Sequence, residues 1–188
     1  MSQQDLLRRV VEALERAGVD YMLTGSFVSS LQGEPRATHD IDVVVAMDKA
    51  AVRTLVDAFP PPEFYLNEEA AYSAIATQGM FNLIAITEGD KVDFWLLTED
   101  PFDQSRFSRK SVEEILGISL RVPSPEDTVL AKLKWTKESG GSEKHFVDAL
   151  RVYEVQSVTI DHAYVNDWAK QLSVEDLWQR IQREAEPL

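Results

Sequence analysis

Between residues 25 and 45 the chain reads Gly25-Ser26, a short stretch, and then Pro35-Arg36-Ala37-Thr38-His39-Asp40-Ile41-Asp42-Val43-Val44-Val45. Two aspartates one residue apart stand at the mouth of an apolar run. Alternate residues of a strand face the same way, so Asp40 and Asp42 point to one side, about 7 Å apart along the chain. Two carboxylates that close repel unless a cation sits between them. Oxygen-only ligands favour a hard ion such as Mg²⁺, which keeps waters and substrate phosphates as its other ligands. Upstream, Gly25-Ser26 lies where a strand gives way to a helix. A glycine there lets the backbone approach a phosphate, and the Ser26 hydroxyl and the helix N-terminal amides can donate to it. Downstream, Asp93 interrupts the apolar run Val92-Asp93-Phe94-Trp95-Leu96-Leu97. A carboxylate in a buried strand is costly unless it is paired or metal-bound.

These residue types match what nucleotidyl transfer requires. A triphosphate must be held, Mg²⁺ must bridge its oxygens, and a hydroxyl must be placed in line with the α-phosphorus. Asp40 and Asp42 would hold one metal ion or two, the latter about 3.5–4 Å apart. Asp93 would complete the cluster and orient or deprotonate the attacking hydroxyl.

The elements that must position these groups are legible in the hydrophobic spacing. Leu6, Leu7, Val10, Val11, Leu14 and Ala17 predict a helix that Gly18 ends. Val19 to Thr24 reads as a strand, Phe27 to Gln32 as a short helix closed by Gly33, and Glu34 to His39 as a polar loop. Ile41 to Ala46 is apolar on both faces, as expected of a central strand covered by helices. Met47 to Phe59 returns to helical spacing until Pro60-Pro61-Pro62 breaks it. Residues 63–79 fit no single pattern. Met80 to Thr87 and Lys91 to Leu97 flank the turn signal Glu88-Gly89-Asp90 and predict a hairpin. Pro101 to Arg109 reads as a turn and short helix, and Ile118 to Val122 as a strand. From Ser124 the pattern is helical. Ser124, Ser142, Asp161 and Ser173 are the candidate caps. The expected fold class is therefore α/β (α+β): a mixed sheet flanked by helices over 1–122, then a helical region over 123–188 packed on it.

Composition removes several classes of function. The chain has 188 residues and no cysteine, which excludes disulfides, thiolate zinc sites and cysteine nucleophiles. The net charge of −13 argues against non-specific nucleic-acid binding. No apolar run approaches transmembrane length, and residues 1–20 resemble an amphipathic helix, not a signal peptide, so a cytoplasmic protein is expected. His39, His145 and His162 lack metal-ligand spacing. Trp95, Trp135, Trp168 and Trp178 read as packing residues.

Taken together, Gly25-Ser26, Asp40-Ile41-Asp42 and the later Lys91-Val92-Asp93-Phe94 resemble the DNA polymerase β-like nucleotidyltransferase superfamily. With Ser124-Pro125-Glu126-Asp127 and Lys132-Leu133-Lys134-Trp135, the chain is similar to the small bacterial nucleotidyltransferases allied to abortive-infection (AbiEii-like) toxins. The resemblance implies that Gly25 and Ser26 form the triphosphate-binding turn, and that Asp40, Asp42 and Asp93 are the catalytic and metal-binding carboxylates. It also implies that Arg36 and Lys132 bind nucleotide. Ser142 and Asp148 are weaker candidates. Mg²⁺ would be the cofactor and an NTP such as ATP the substrate. The acceptor hydroxyl could belong to an RNA 3′ end, a protein or a small molecule, and a toxin–antitoxin setting would bring a cognate partner protein. Two other readings remain open: a catalytically idle nucleotide- or partner-binding relative, and an antibiotic adenylyltransferase-like enzyme.

The bland readings are specific too. Asp93 could pair with Lys91, Arg36 could be a solvated loop charge, and Lys132 could be an exposed helix residue beside Lys134. Ser142 and Asp148 could be a cap and a solvated acid.

Overall fold

The computed structural model describes residues 1–186; the last two residues of the expected helical region, 187 and 188, lie outside the described residues. In chain order the elements begin α1 (Gln3–Arg16), β1 (Asp20–Thr24), α2 (Gly25–Gln32), β2 (Asp40–Ala46), α3 (Lys49–Ala58), β3 (Phe64–Leu66), α4 (Glu68–Thr77) and β4 (Met80–Ala85). They continue β5 (Lys91–Leu96), α5 (Pro101–Ser108), β6 (Ser111–Ile115), β7 (Ile118–Val122), α6 (Pro125–Glu138), α7 (Glu143–Gln156), α8 (His162–Leu172) and α9 (Glu175–Glu184). The chain forms two compact units: Met1–Thr24 with Thr38–Val122, and Gly25–Ala37 with Pro123–Leu188. The segment 25–37, which carries the Gly-Ser turn and Arg36, thus belongs with the C-terminal helices.

The first unit is built on a five-stranded mixed sheet of order β1-β2-β5-β4-β3. β2 and β5 run parallel, and the other neighbouring pairs are antiparallel. Strand alternation sorts the sheet cleanly. Tyr21, Leu23, Ile41, Val43, Val45, Phe81, Leu83, Ala85, Val92, Phe94 and Leu96 are all buried, and the period of two puts them on one face. Phe81 and Phe94 stack there with ring centroids 4.9 Å apart. The opposite face carries the candidate site residues. Its cross-strand row runs Thr24, Asp42, Asp93, Asn82. Beside that row, Met22 and Val44 pack with Phe107 of α5.

α1 starts at a Ser2–Asp5 capping box and buries Leu6, Leu7, Val10, Val11, Ala13 and Leu14, the face its spacing predicts. Three elements differ from the sequence reading. Residues 63–79 resolve into the three-residue β3 and the helix α4, whose alanine-rich sequence buries Ala71 and Ala74 and so shows little periodicity. β6 pairs with β7 in a separate hairpin. Its residues Ser111 to Glu114 are all exposed, so no alternation marks them as a strand.

The second unit holds α2, α6, α7, α8 and α9. Ser124 caps α6 by accepting from the Asp127 amide, and Asp161 caps α8 by accepting from Ala163 and Tyr164. Ser142 stands at the N-cap of α7 without a side-chain capping bond. Ser173 ends α8 in a left-handed conformation with φ 53°, and Val174 precedes α9. The expected caps at Ser142 and Ser173 are corrected accordingly. At Gly33 a Cβ would meet Val152 N at 2.8 Å and the Arg151 carbonyl carbon at 2.9 Å. Only glycine lets the end of α2 lie this close to the backbone of α7.

Candidate active site

The first unit gathers the three aspartates by strand register. Asp42 is the cross-strand partner of Asp93 on the parallel pair β2–β5, and Asp40 is the partner of Lys91. Since i and i+2 share a face, Asp40, Asp42, Lys91 and Asp93 all project to the same side. Asp93 is 7% exposed. Its Oδ2 accepts from Lys91 Nζ at 2.8 Å, and its Oδ1 is buried with no hydrogen-bond partner among the described residues. The bland reading of Asp93 is thus seen in its pairing with Lys91 through one oxygen, while the other oxygen is left without a partner among the described residues.

Lys91 is held above the ordinary lysine range. Its hydrogen bond with Asp93 is the main cause, and the negative charges of Asp93, Asp40 and Asp42 together work against the opposing effect of burial. Asp42 Oδ1 accepts from the indole Nε1 of Trp95 at 3.2 Å. Trp95 is 43% exposed, which corrects its assignment as a packing residue. Trp95 follows Asp93 by two positions, and the alternation that places Asp93 also places the indole. At the end of β1, the buried Arg106 is held by Asp103 Oδ1 at 3.0 Å and donates to Thr24 Oγ1 at 3.4 Å.

Among the described residues, no group of three or more His, Cys, Asp or Glu side chains stands ready to hold a metal ion. What does fit Mg²⁺ is the donor set. It is oxygen-only, it contains one orphaned buried carboxylate oxygen, and a lysine ammonium serves as the local cation. Mg²⁺ binds through one or two carboxylates plus waters and phosphates and needs no closed protein cage.

The second unit assembles the other candidates. Gly25 opens α2 with φ 72°, a conformation that suits glycine. Arg36 Nη2 donates to Ser26 Oγ at 2.8 Å. The same guanidinium grips Asp148 through Nε–Oδ1 at 3.0 Å and Nη2–Oδ2 at 2.9 Å. Lys132 is 1% exposed and donates to Asp148 Oδ2 at 2.7 Å. Lys132 is therefore no surface lysine, and Asp148 is no solvated acid. Burial pushes the Asp148 carboxyl up, but the hydrogen bonds from Arg36 and Lys132 outweigh it and hold the group below its ordinary value. Burial and then the nearby Lys132 charge push His145 below the usual histidine range. Two cations thus share one carboxylate through charge-assisted hydrogen bonds, with a serine hydroxyl on the same arginine. Ser142 takes no part in a capping bond. The feature that sequence reasoning undervalued was Asp148. Its signal was a carboxylate at helical spacing among apolar neighbours, Phe146, Ala149 and Val152.

The arrangement of the sheet and helices is a nucleotidyltransferase fold. The family model for aminoglycoside-2''-adenylyltransferase matches residues 6–61, a stretch that contains Gly25, Ser26, Arg36, Asp40 and Asp42. Among solved structures, the chain is similar to ANT(2'')-Ia in complex with adenylyl-2''-tobramycin, at 11% identity and TM-score 0.62, covering 93% of this chain and 99% of that one. It is similar to an antigenic nucleotidyltransferase-like protein from Paracoccidioides brasiliensis, at 17% identity and TM-score 0.58, covering 99% and 96%. It is also similar to the lincomycin-bound lincosamide antibiotic adenylyltransferase LnuA, at 14% identity and TM-score 0.54, covering 81% and 96%. No curated protein matches the chain.

Proposed function

We propose that the protein is a Mg²⁺-dependent nucleotidyltransferase that moves a nucleoside monophosphate from an NTP to an acceptor hydroxyl. The observation that carries this reading is the register of Asp42 against Asp93, with Asp40 two residues earlier on the same strand face. Bound Mg²⁺ would neutralise the triphosphate oxygens and polarise the α-phosphate. Asp40, Asp42 and Asp93 would hold it. Ser26, Arg36 and Lys132 would bind the triphosphate, with Gly25 leaving room for it. The acceptor oxygen forms a bond to the α-phosphorus while the bond from that phosphorus to the bridging oxygen breaks. Pyrophosphate leaves with the electron pair, and Asp93 takes the hydroxyl proton. Trp95 holds the Asp42 carboxylate in orientation through its indole N–H.

A small hydroxyl-bearing molecule is the favoured acceptor. The support is the match of residues 6–61 to an aminoglycoside adenylyltransferase model, together with the likeness in fold to two antibiotic-modifying enzymes. This favours the adenylyltransferase-like alternative over the abortive-infection setting. The test is transfer of label from each of the four α-labelled NTPs, with and without Mg²⁺, to aminoglycosides, lincosamides, total RNA and a protein extract. Label on a small molecule, lost in Asp42→Asn, is the expected result. Label on RNA or protein would move the acceptor to a macromolecule and revive a toxin reading. No transfer to any fraction, with Asp42→Asn binding nucleotide as wild type does, would leave an idle nucleotide-binding relative.

A further inference from the structure

We propose that Lys91 is a resident counter-ion of the carboxylate cluster, which a divalent cation must displace from Asp93 in order to bind. The proposal rests on the reading of Asp40, Asp42 and Asp93 as metal ligands. Its own grounds are geometric. Lys91 stands opposite Asp40 in the β2–β5 register and two residues before Asp93 on the same strand. Its ammonium lies 2.8 Å from Asp93 Oδ2, and the two side chains are 36% and 10% exposed. Lys91 thus reaches in from solvent to a carboxylate that is nearly closed off from it. The second oxygen of that carboxylate is buried and without a hydrogen-bond partner among the described residues.

Three acids placed on one face of the β2–β5 pair repel one another in the absence of a cation. A lysine on the same face relieves that repulsion. Its four-carbon stem is flexible, and its charge is compact and strongly hydrated, so it can withdraw to solvent when a stronger cation arrives. A divalent ion at Asp93 and an ammonium at the same carboxylate repel each other, so their binding is competitive. Once displaced, Lys91 needs another anion, and the triphosphate of an incoming metal–nucleotide supplies one. Lys91 therefore weakens the binding of bare metal more than that of the metal–nucleotide, and couples metal retention to the presence of substrate.

The test is Mn²⁺ binding without nucleotide, followed by electron paramagnetic resonance of the free ion, on wild type, Lys91→Met, Lys91→Gln, Lys91→Arg and Asp42→Asn. Both neutral variants should bind Mn²⁺ about fivefold more tightly than wild type, as expected for removal of one partly exposed charge, and Lys91→Arg should resemble wild type. Mg²⁺ should also raise the melting temperature of Lys91→Met more than that of wild type. Unchanged or weaker binding in both neutral variants, at a site that Asp42→Asn abolishes, overturns the proposal and leaves the metal site standing. If no variant shows a site sensitive to Asp42→Asn, the metal reading falls and the proposal falls with it.

Discussion

Lys132 donates to Asp148 at 2.7 Å in an environment where the two side chains are only 2% and 7% exposed. The same carboxylate receives two hydrogen bonds from Arg36, 112 residues earlier in the chain. One acid thus ties the loop before β2 to two helices of its own unit.

Removing that acid leaves Lys132 charged, buried and without its carboxylate. Asp148→Ala should cost about 3–5 kcal/mol of stability, the range for breaking a buried ion pair from one side. Urea unfolding followed by circular dichroism measures it. A loss below about 1 kcal/mol would show that the network is not a structural element.

The pH dependence of stability carries the same signature. The folded-state pKa of Asp148 lies below its unfolded reference of 3.8. The unfolded chain therefore binds the proton more readily, and the contribution is fully present above the unfolded value. It is lost as pH falls through the lower folded value. Asp148→Asn should flatten this part of the acid limb, most visibly below about pH 4. Unfolding free energies measured from pH 6 down to pH 2.5 would show the change in slope.

The carboxylate row makes a catalytic prediction. Asp93→Asn keeps the shape of the side chain but removes the proton acceptor and one metal-binding charge, and kcat should fall about 10²–10⁴-fold, a larger effect than any rise in the NTP KM. Single-turnover transfer kinetics separate the two effects. A raised KM with normal kcat would reassign Asp93 to substrate binding.

Trp95→Phe tests the hold on Asp42. The indole is 43% exposed, so stability should change by less than about 1 kcal/mol. Loss of a partly solvated hydrogen bond to a carboxylate should lower kcat about fivefold. Trp95→Phe with wild-type kcat would make the bond incidental to catalysis.

Gly33→Ala should be among the more damaging single-methyl additions in the second unit. The new carbon would meet backbone atoms of Arg151 and Val152 at 2.9 and 2.8 Å. Separating α2 from α7 should cost about 1–3 kcal/mol, measured as a shift in the urea midpoint.

The aspartate row was legible because a strand has only two faces. Once Asp40 and Asp42 share one, a strand beside them can offer Asp93 in a single register that keeps its apolar residues inside. The same rule applied to Lys91 and Trp95 would have placed both beside the carboxylates. Reading Trp95 by residue type hid that. Asp148 and Lys132 were harder, because their meaning lies in contacts between α6, α7 and the loop at Arg36. Helical periodicity shows which residues share a side, not what comes to rest against them. β6 left no trace, since Ser111 to Glu114 are all exposed and the strand pairs only with β7, whose Ile118, Leu120 and Val122 supply the buried side chains of the hairpin.

The split composition of the second unit, 25–37 with 123–188, sets an order of events during synthesis. Arg36 leaves the ribosome 112 residues before its partner Asp148, a wait of about 6–20 s at ordinary elongation rates. Until α6 has been made, the first part of the unit has no later helix to fold against. A chain cut short before α7 can complete the sheet and present its aspartates, yet it cannot close the arginine–aspartate–lysine network. Nascent chains therefore acquire the three aspartates before Arg36 and Lys132 can meet Asp148, and closure of that network marks a chain whose translation has passed Asp148.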